Sequence, residues 1–275
     1  MEFASDVVSI EKNGGVGTLW LDRPKKYNAM NESFWLAIPE ALKALESDKE
    51  INAIIVAGRG KHFCVGLDLV DSGMVSHQSV AGESEAVANI KQLQGTTRFQ
   101  EAISSLAKCP VPVIAVIHGH CLGAGIDMVT SCDIRIASAC SNFSVRETRI
   151  GLVADVGTLQ RLPSILNAGH VAELAYSAKD INAVRAEKIG LVNDVYESQE
   201  AAYAAGMALA NEIAANPPMA VRGTKFMLQQ SETLTTEQSL LMNGMFTLMT
   251  SLRSNDLQES MKAFAEKRAP KYTGT

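Results

Sequence analysis

Three carboxylates stand among apolar residues in the middle of the chain. Asp127 follows Gly123-Ala124-Gly125-Ile126 and precedes Met128 and Val129, Glu147 follows Phe143-Ser144-Val145-Arg146, and Asp155 sits inside Gly151-Leu152-Val153-Ala154-Asp155-Val156-Gly157. Taking an ionisable group out of water is costly unless it is paired or hydrogen-bonded, and burial drives a carboxyl pKa upward. A carboxyl group that titrates closer to neutrality can act as a general acid or base. Two structural roles compete with the chemical one. Asp155 could cap a helix running through Leu159 and Leu162, and Glu147 could pair with Arg146 or Arg149.

An internal similarity suggests a second chemical element. Ile54-Ile55-Val56-Ala57-Gly58 is followed by Cys64-Val65-Gly66-Leu67, and Ile114-Ala115-Val116-Ile117-His118-Gly119 by Cys121-Leu122-Gly123-Ala124. Each reads as a strand, a glycine turn and then Cys-aliphatic-Gly-X. Two such units could aim the backbone N–H groups of Leu67 and Ala124 at one point, which is what an oxyanion hole requires. Two ordinary strand-to-helix turns would look the same. Other chemistries fit poorly. His118-Gly119-His120-Cys121 packs its potential ligands too closely for a structural zinc site, so no metal is expected. The chain contains no GxSxG elbow, and its glycines match neither GxxxxGK[ST] nor GxGxxG.

These residues need a scaffold, and the pattern supplies one. Val7–Glu11 and Val16–Asp22 read as strands joined by Asn13-Gly14-Gly15, a hairpin signal. Asn31 is placed to cap a helix through Phe34, Leu36, Ile38, Leu42 and Leu45, interrupted by Pro39. Ile51–Ala57 and Val111–Ile117 are buried-strand runs, Gly123–Cys132 reads as helix and Asp133–Ala137 as strand. Residues 71–89 are weakly patterned and read as a loop or lid. From about Ala201 the strand signals stop and helices follow, with Met242, Met245 and Met249 at the spacing of a helix face. Strands alternating with helices, then helices alone, indicate an α/β core over 1–200 and a helical region over 201–275.

The 275 residues carry a net charge of −5, and 47% are hydrophobic, so a substantial core is available. The acidic balance argues against a nucleic-acid coat or an anionic membrane surface. Five cysteines without framework spacing suggest reduced thiols. Residues 1–6 lack the basic and apolar regions of a signal peptide, and Tyr272-Thr273-Gly274-Thr275 is not a peroxisomal address. A soluble, cytoplasmic protein is the expectation.

Leu21-Asp22-Arg23-Pro24 with Asn28-Ala29-Met30-Asn31, Gly60-Lys61-His62-Phe63-Cys64-Val65-Gly66-Leu67-Asp68-Leu69 and His118-Gly119-His120-Cys121-Leu122-Gly123-Ala124-Gly125-Ile126-Asp127 together resemble the motifs of the crotonase (enoyl-CoA hydratase/isomerase) family. The resemblance covers nearly the whole chain. It implies a spiral of repeated ββα units and C-terminal helices that form a homotrimer or a dimer of trimers. It also implies an acyl-CoA substrate, with Val65, Gly66, Leu67, Asp68, Leu69 and Ala124 holding the thioester and Leu67 and Ala124 donating to its oxygen. Phe264 and Lys267 resemble residues that touch the CoA nucleotide of a neighbouring subunit.

Family hydratases resemble the chain at Asp127 and Glu147 but have Gly where Asp155 stands. The trio, with Ala-Asp-Val-Gly-Thr-Leu-Gln-Arg-Leu-Pro over 154–163, is similar to members that move a conjugated diene. The resemblance therefore implies isomerisation of a 3,5-dienoyl-CoA to a 2,4-dienoyl-CoA in fatty-acid β-oxidation. Glu147 would be the C2 base and Asp155 the C6 acid, with Asp127 in support and no cofactor beyond the CoA of the substrate. The alternatives are a 2-enoyl-CoA hydratase using Asp127 and Glu147, and a non-catalytic binder of acyl-CoA or RNA.

Overall fold

A computed structural model describes residues 3–71 and 83–275. The chain opens with the hairpin β1 (Val8–Asn13) and β2 (Val16–Leu21), turned by Gly14 at φ +57°. Then come α1 (Glu32–Ser47), β3 (Ala53–Gly58), α2 (Glu85–Lys108), β4 (Val113–Ile117), β5 (His120–Leu122) and α3 (Ala124–Thr130). They are followed by β6 (Ile134–Ser138), β7 (Asn142–Ser144), α4 (Thr158–Ile165), α5 (Ala168–Ser177), β8 (Ile181–Asn182), α6 (Ala183–Lys188) and β9 (Asp194–Tyr196). Four helices complete the chain: α7 (Gln199–Ala214), α8 (Pro218–Ser231), α9 (Thr236–Met249) and α10 (Asn255–Glu266).

The main sheet runs β1-β2-β3-β4-β6-β9 and is parallel beyond the first hairpin. A second sheet has the order β5-β7-β8. The alternation of side chains along β3 and β4 separates two apolar layers. Ile54, Val56, Val113, Ala115 and Ile117 join α1, α2 and α3 in the larger core. Ile55, Ala57, Ile114 and Val116 face the other way, toward Ala202 and Ala210 of α7. Tyr203 of α7 stacks on Trp20 of β2 at 5.1 Å, so the helix that crosses the expected boundary at residue 200 lies against the sheet.

Local signals explain several elements. The Asn31 side chain caps α1 by accepting from the Phe34 N–H at 3.2 Å. Pro39 lies inside α1, at a typical cost of ~3 kcal/mol. The helix buries Phe34, Trp35, Ile38, Leu42 and Leu45, each worth ~1.5–3 kcal/mol, and burial wins. Of the expected loop over 71–89, residues 72–82 lie outside those described, and from Glu85 the chain is already α2. Ser84 caps that helix by accepting from the Val87 N–H at 3.4 Å. Val87, Ile90 and Leu93 stay exposed, so the first turns of α2 bury no apolar stripe. No helix among the described residues is long and apolar enough to cross a membrane.

Candidate active site

The two similar loops lie side by side. The Phe63 N–H donates to His118 O at 2.8 Å, the Cys64 N–H to His120 O at 3.0 Å, and the Leu122 N–H to Cys64 O at 3.0 Å. Gly66, at φ +92°, allows the closest approach: a Cβ there would lie 2.9 Å from Leu122 O and 3.4 Å from Ala124 N. The Met30 N–H donates to Gly66 O and the Asp68 N–H to Met30 O, a pattern that engages the neighbours of Leu67 and leaves its own N–H out. Ala124 opens α3, and a helix offers its first N–H no internal acceptor. Among the described residues, neither the Leu67 nor the Ala124 N–H has a protein acceptor. Both residues line one cleft of about 220 Å³. Two amide donors without a protein acceptor on one cleft are the elements that an oxyanion hole requires.

The carboxylates share that cleft with the two donors. Asp127, only 1% exposed, sits in the first turn of α3. Burial pushes its pKa up to about 6, while hydrogen bonding by Thr158 opposes the shift. Its Oδ1 accepts from the Thr158 N–H at 2.6 Å. That bond caps α4, whose own N-cap is Gly157 and provides no side chain. Asp155 therefore does not cap this helix; the capping carboxylate comes from another element. Asp155 lies exposed at the rim in an irregular stretch, and partial burial raises its pKa.

Glu147 begins a single 3₁₀ turn over Glu147–Ile150. Burial first, then the charge of Asp127, pushes its pKa up to about 7. The ion pairs that competed for it are not made, because Arg146 bonds Asp180 at 2.7 Å and Arg149 bonds Ala178 O at 2.7 Å. Its Oε2 is buried with no protein partner among the described residues. Gly123, at φ +51°, makes room for it: a Cβ there would stand 3.4 Å from Glu147 Oε1. A potential base is thus held over the turn that presents the Ala124 N–H.

Val65, Gly66, Leu67, Leu69 and Ala124 line the cleft. Asp68 does not line it: its carboxylate accepts from Arg23 Nη1 at 2.7 Å, which holds its pKa below the ordinary value and fastens the loop to the hairpin. Phe264 is 88% exposed and Lys267 caps the end of α10, and neither lines the cleft of its own chain. Trp35 and Phe99, stacked at 4.8 Å, form an apolar wall that spacing alone did not reveal. They sit on α1 and α2, and only the tertiary fold brings them to the carboxylates. No cluster of three metal-ligating side chains occurs among the described residues.

A raised carboxyl pKa also has a consequence for stability. Between the ordinary carboxylate range and about pH 7, the folded state holds protons at Glu147 and Asp127 that the unfolded chain has lost. Stability from these groups therefore falls as pH rises through that window and levels off above it. Glu147→Gln, which mimics the protonated form, should melt at the same temperature as the parent near pH 4.5 and at a higher one at pH 7.5. Calorimetry across that range checks this, and a variant less stable at pH 7.5 would contradict the burial argument.

Residues 11–275 match the family model described as Enoyl-CoA hydratase/isomerase, and the chain belongs to that family. It is 38% identical to the mitochondrial Δ(3,5)-Δ(2,4)-dienoyl-CoA isomerase of Dictyostelium discoideum, over 95% of this chain and 89% of that protein. It is 36% identical to the peroxisomal Δ(3,5)-Δ(2,4)-dienoyl-CoA isomerase of Arabidopsis thaliana, over 99% and 98%. Among solved structures, the enoyl-CoA hydratase of Mycobacterium tuberculosis superposes with a TM-score of 0.84 at 30% identity, over 98% of this chain and 100% of that one. The fold is thus the expected crotonase α/β fold. The cytoplasmic expectation is overturned, since these relatives are named as mitochondrial or peroxisomal proteins. Reduced cysteines fit any reducing interior, so they could not separate the cytoplasm from an organelle.

Proposed function

We propose that this chain isomerises 3,5-dienoyl-CoA thioesters to 2,4-dienoyl-CoA thioesters, a step of fatty-acid β-oxidation. One observation carries the reading: Asp155 shares the cleft with Glu147 and the two amide donors, and does not cap the helix beside it. Glu147 removes a proton from C2, and the thioester becomes a dienolate. The Leu67 and Ala124 N–H groups donate to its oxygen, where one such donor can be worth ~3 kcal/mol of barrier. Asp155 delivers a proton to C6, and the double bonds move from positions 3 and 5 to positions 2 and 4. Asp127 supports the set while held by Thr158, and interacting carboxyl groups titrate together. The conversion is redox-neutral and needs no cofactor beyond the CoA that the substrate carries.

The test is an assay of the purified protein with 3,5-octadienoyl-CoA and with crotonyl-CoA. Rapid formation of the conjugated 2,4-diene supports the isomerase. Hydration of crotonyl-CoA with no diene shift would make Asp127 and Glu147 a hydratase pair instead.

The C-terminal helices support a reading in which several chains assemble. Leu228, Leu240, Leu241, Met245, Leu248 and Met249 are exposed on α8 and α9, more apolar surface than a free monomer ordinarily shows. A homotrimer or a dimer of trimers would cover it and bring the exposed Phe264 and Lys267 to the CoA nucleotide of a neighbouring subunit. Light scattering should give a mass of three or six chains, and a monomer at micromolar concentration would rule this out.

A further inference from the structure

The stretch that carries Asp155 is irregular and poorly supported by its own backbone. At its start the Leu152 N–H donates to Glu147 O at 2.9 Å, and at its end the Thr158 N–H donates to Asp127 at 2.6 Å. Between these anchors the bond to Asp155 itself comes from α2, where Gln100 Nε2 donates to Asp155 O at 2.6 Å. One helical turn further along, Ser104 Oγ accepts from Arg161 Nη2 of α4 at 2.7 Å. Residues four apart lie on one helix face, so α2 lays two polar side chains along the rim loop and the first turn of α4. Phe99, next to Gln100, forms part of the cleft wall.

We infer that Gln100 is a positioning residue for Asp155, setting where the acid meets the distal end of the diene. The inference rests on the isomerase reading and adds a residue outside the cleft lining. Gln100 does not touch the substrate. Its amide fixes a carbonyl, and through the main chain it fixes the carboxyl group that must reach C6. A displacement of about 1 Å in a reacting group can cost on the order of 10²-fold. Glu147 and the two amide donors are held by other contacts, so the first half of the reaction is independent of Gln100.

The experiment compares the parent with Gln100→Leu, which removes the donor, and Gln100→Glu, which keeps the shape but presents an ionised acceptor to the carbonyl. Three quantities are read: turnover of 3,5-octadienoyl-CoA, exchange of the C2 hydrogen with D₂O, and backbone hydrogen exchange of peptides over 150–157. Both variants should lose about 10- to 100-fold in turnover, keep KM and C2 exchange within about threefold, and exchange faster over 150–157. Parallel loss of turnover and C2 exchange would overturn the inference, because the damage would then reach Glu147 or the fold. Unchanged turnover in an active protein would overturn it as well. If the parent does not isomerise dienes, the proposed function fails by itself, and exchange over 150–157 still decides whether Gln100 holds the loop: protection equal to the parent's refutes it.

Discussion

Asp155→Asn is expected to lower diene isomerisation by about 10²–10⁴-fold, the range for losing a general acid, while exchange of the C2 hydrogen with D₂O persists. Asparagine keeps the shape and approximate volume of the side chain and removes only the transferable proton. Exchange at C2 needs Glu147 and the amide donors; Asp155 reaches Glu147 only through its charge, a lesser cause of that group's raised pKa than burial or Asp127. Glu147→Gln should abolish both processes, since without the base no dienolate forms. Its higher melting temperature at neutral pH would separate loss of chemistry from loss of fold. The contrast between the two variants is the sharp feature. A protein in which Asp155 served only structure would tolerate Asn, because Asn accepts hydrogen bonds as well as Asp does. Unchanged isomerisation in Asp155→Asn would remove the main reason for preferring a diene isomerase to a hydratase.

Much of this site could be read from the chain because its parts are local. The hairpin at Asn13-Gly14-Gly15, the Asn31 cap and the repeated strand–turn–Cys-aliphatic-Gly-X units depend on residues near one another in sequence. The similarity between the two units is also spatial, since the backbones of Cys64 and Cys121 pair in a parallel β-bridge, with both thiols free. What escaped was decided between distant elements. Asp127 caps a helix that begins 31 residues later, a relation no capping motif encodes. Asp68 looked like part of a substrate loop, yet Arg23, 45 residues earlier, claims its carboxylate. Polar residues are assigned by their partners, and a single sequence does not display long-range partners. Trp35 and Phe99 illustrate the apolar version: buried aromatic residues at helical spacing look alike whether they face the core or a cleft.

The proposed oxyanion hole permits an unusually clean substitution. Ala124 is the first residue of α3, and its N–H has no protein acceptor among the described residues. Proline is well suited to the first helical position, where its missing N–H breaks no helical hydrogen bond and its fixed φ matches the helix. Ala124→Pro should therefore fold and melt close to the parent while lacking one of the two donors. Losing one oxyanion donor typically costs about 10²–10³-fold in turnover. Because the dienolate forms before protonation at C6, C2 exchange should fall together with isomerisation, unlike the split expected for Asp155→Asn. Ala124→Gly keeps the donor and should retain most activity. A folded Ala124→Pro protein with parental rates of both exchange and isomerisation would mean that the thioester oxygen is held elsewhere. The two loops would then be close neighbours for reasons of packing alone.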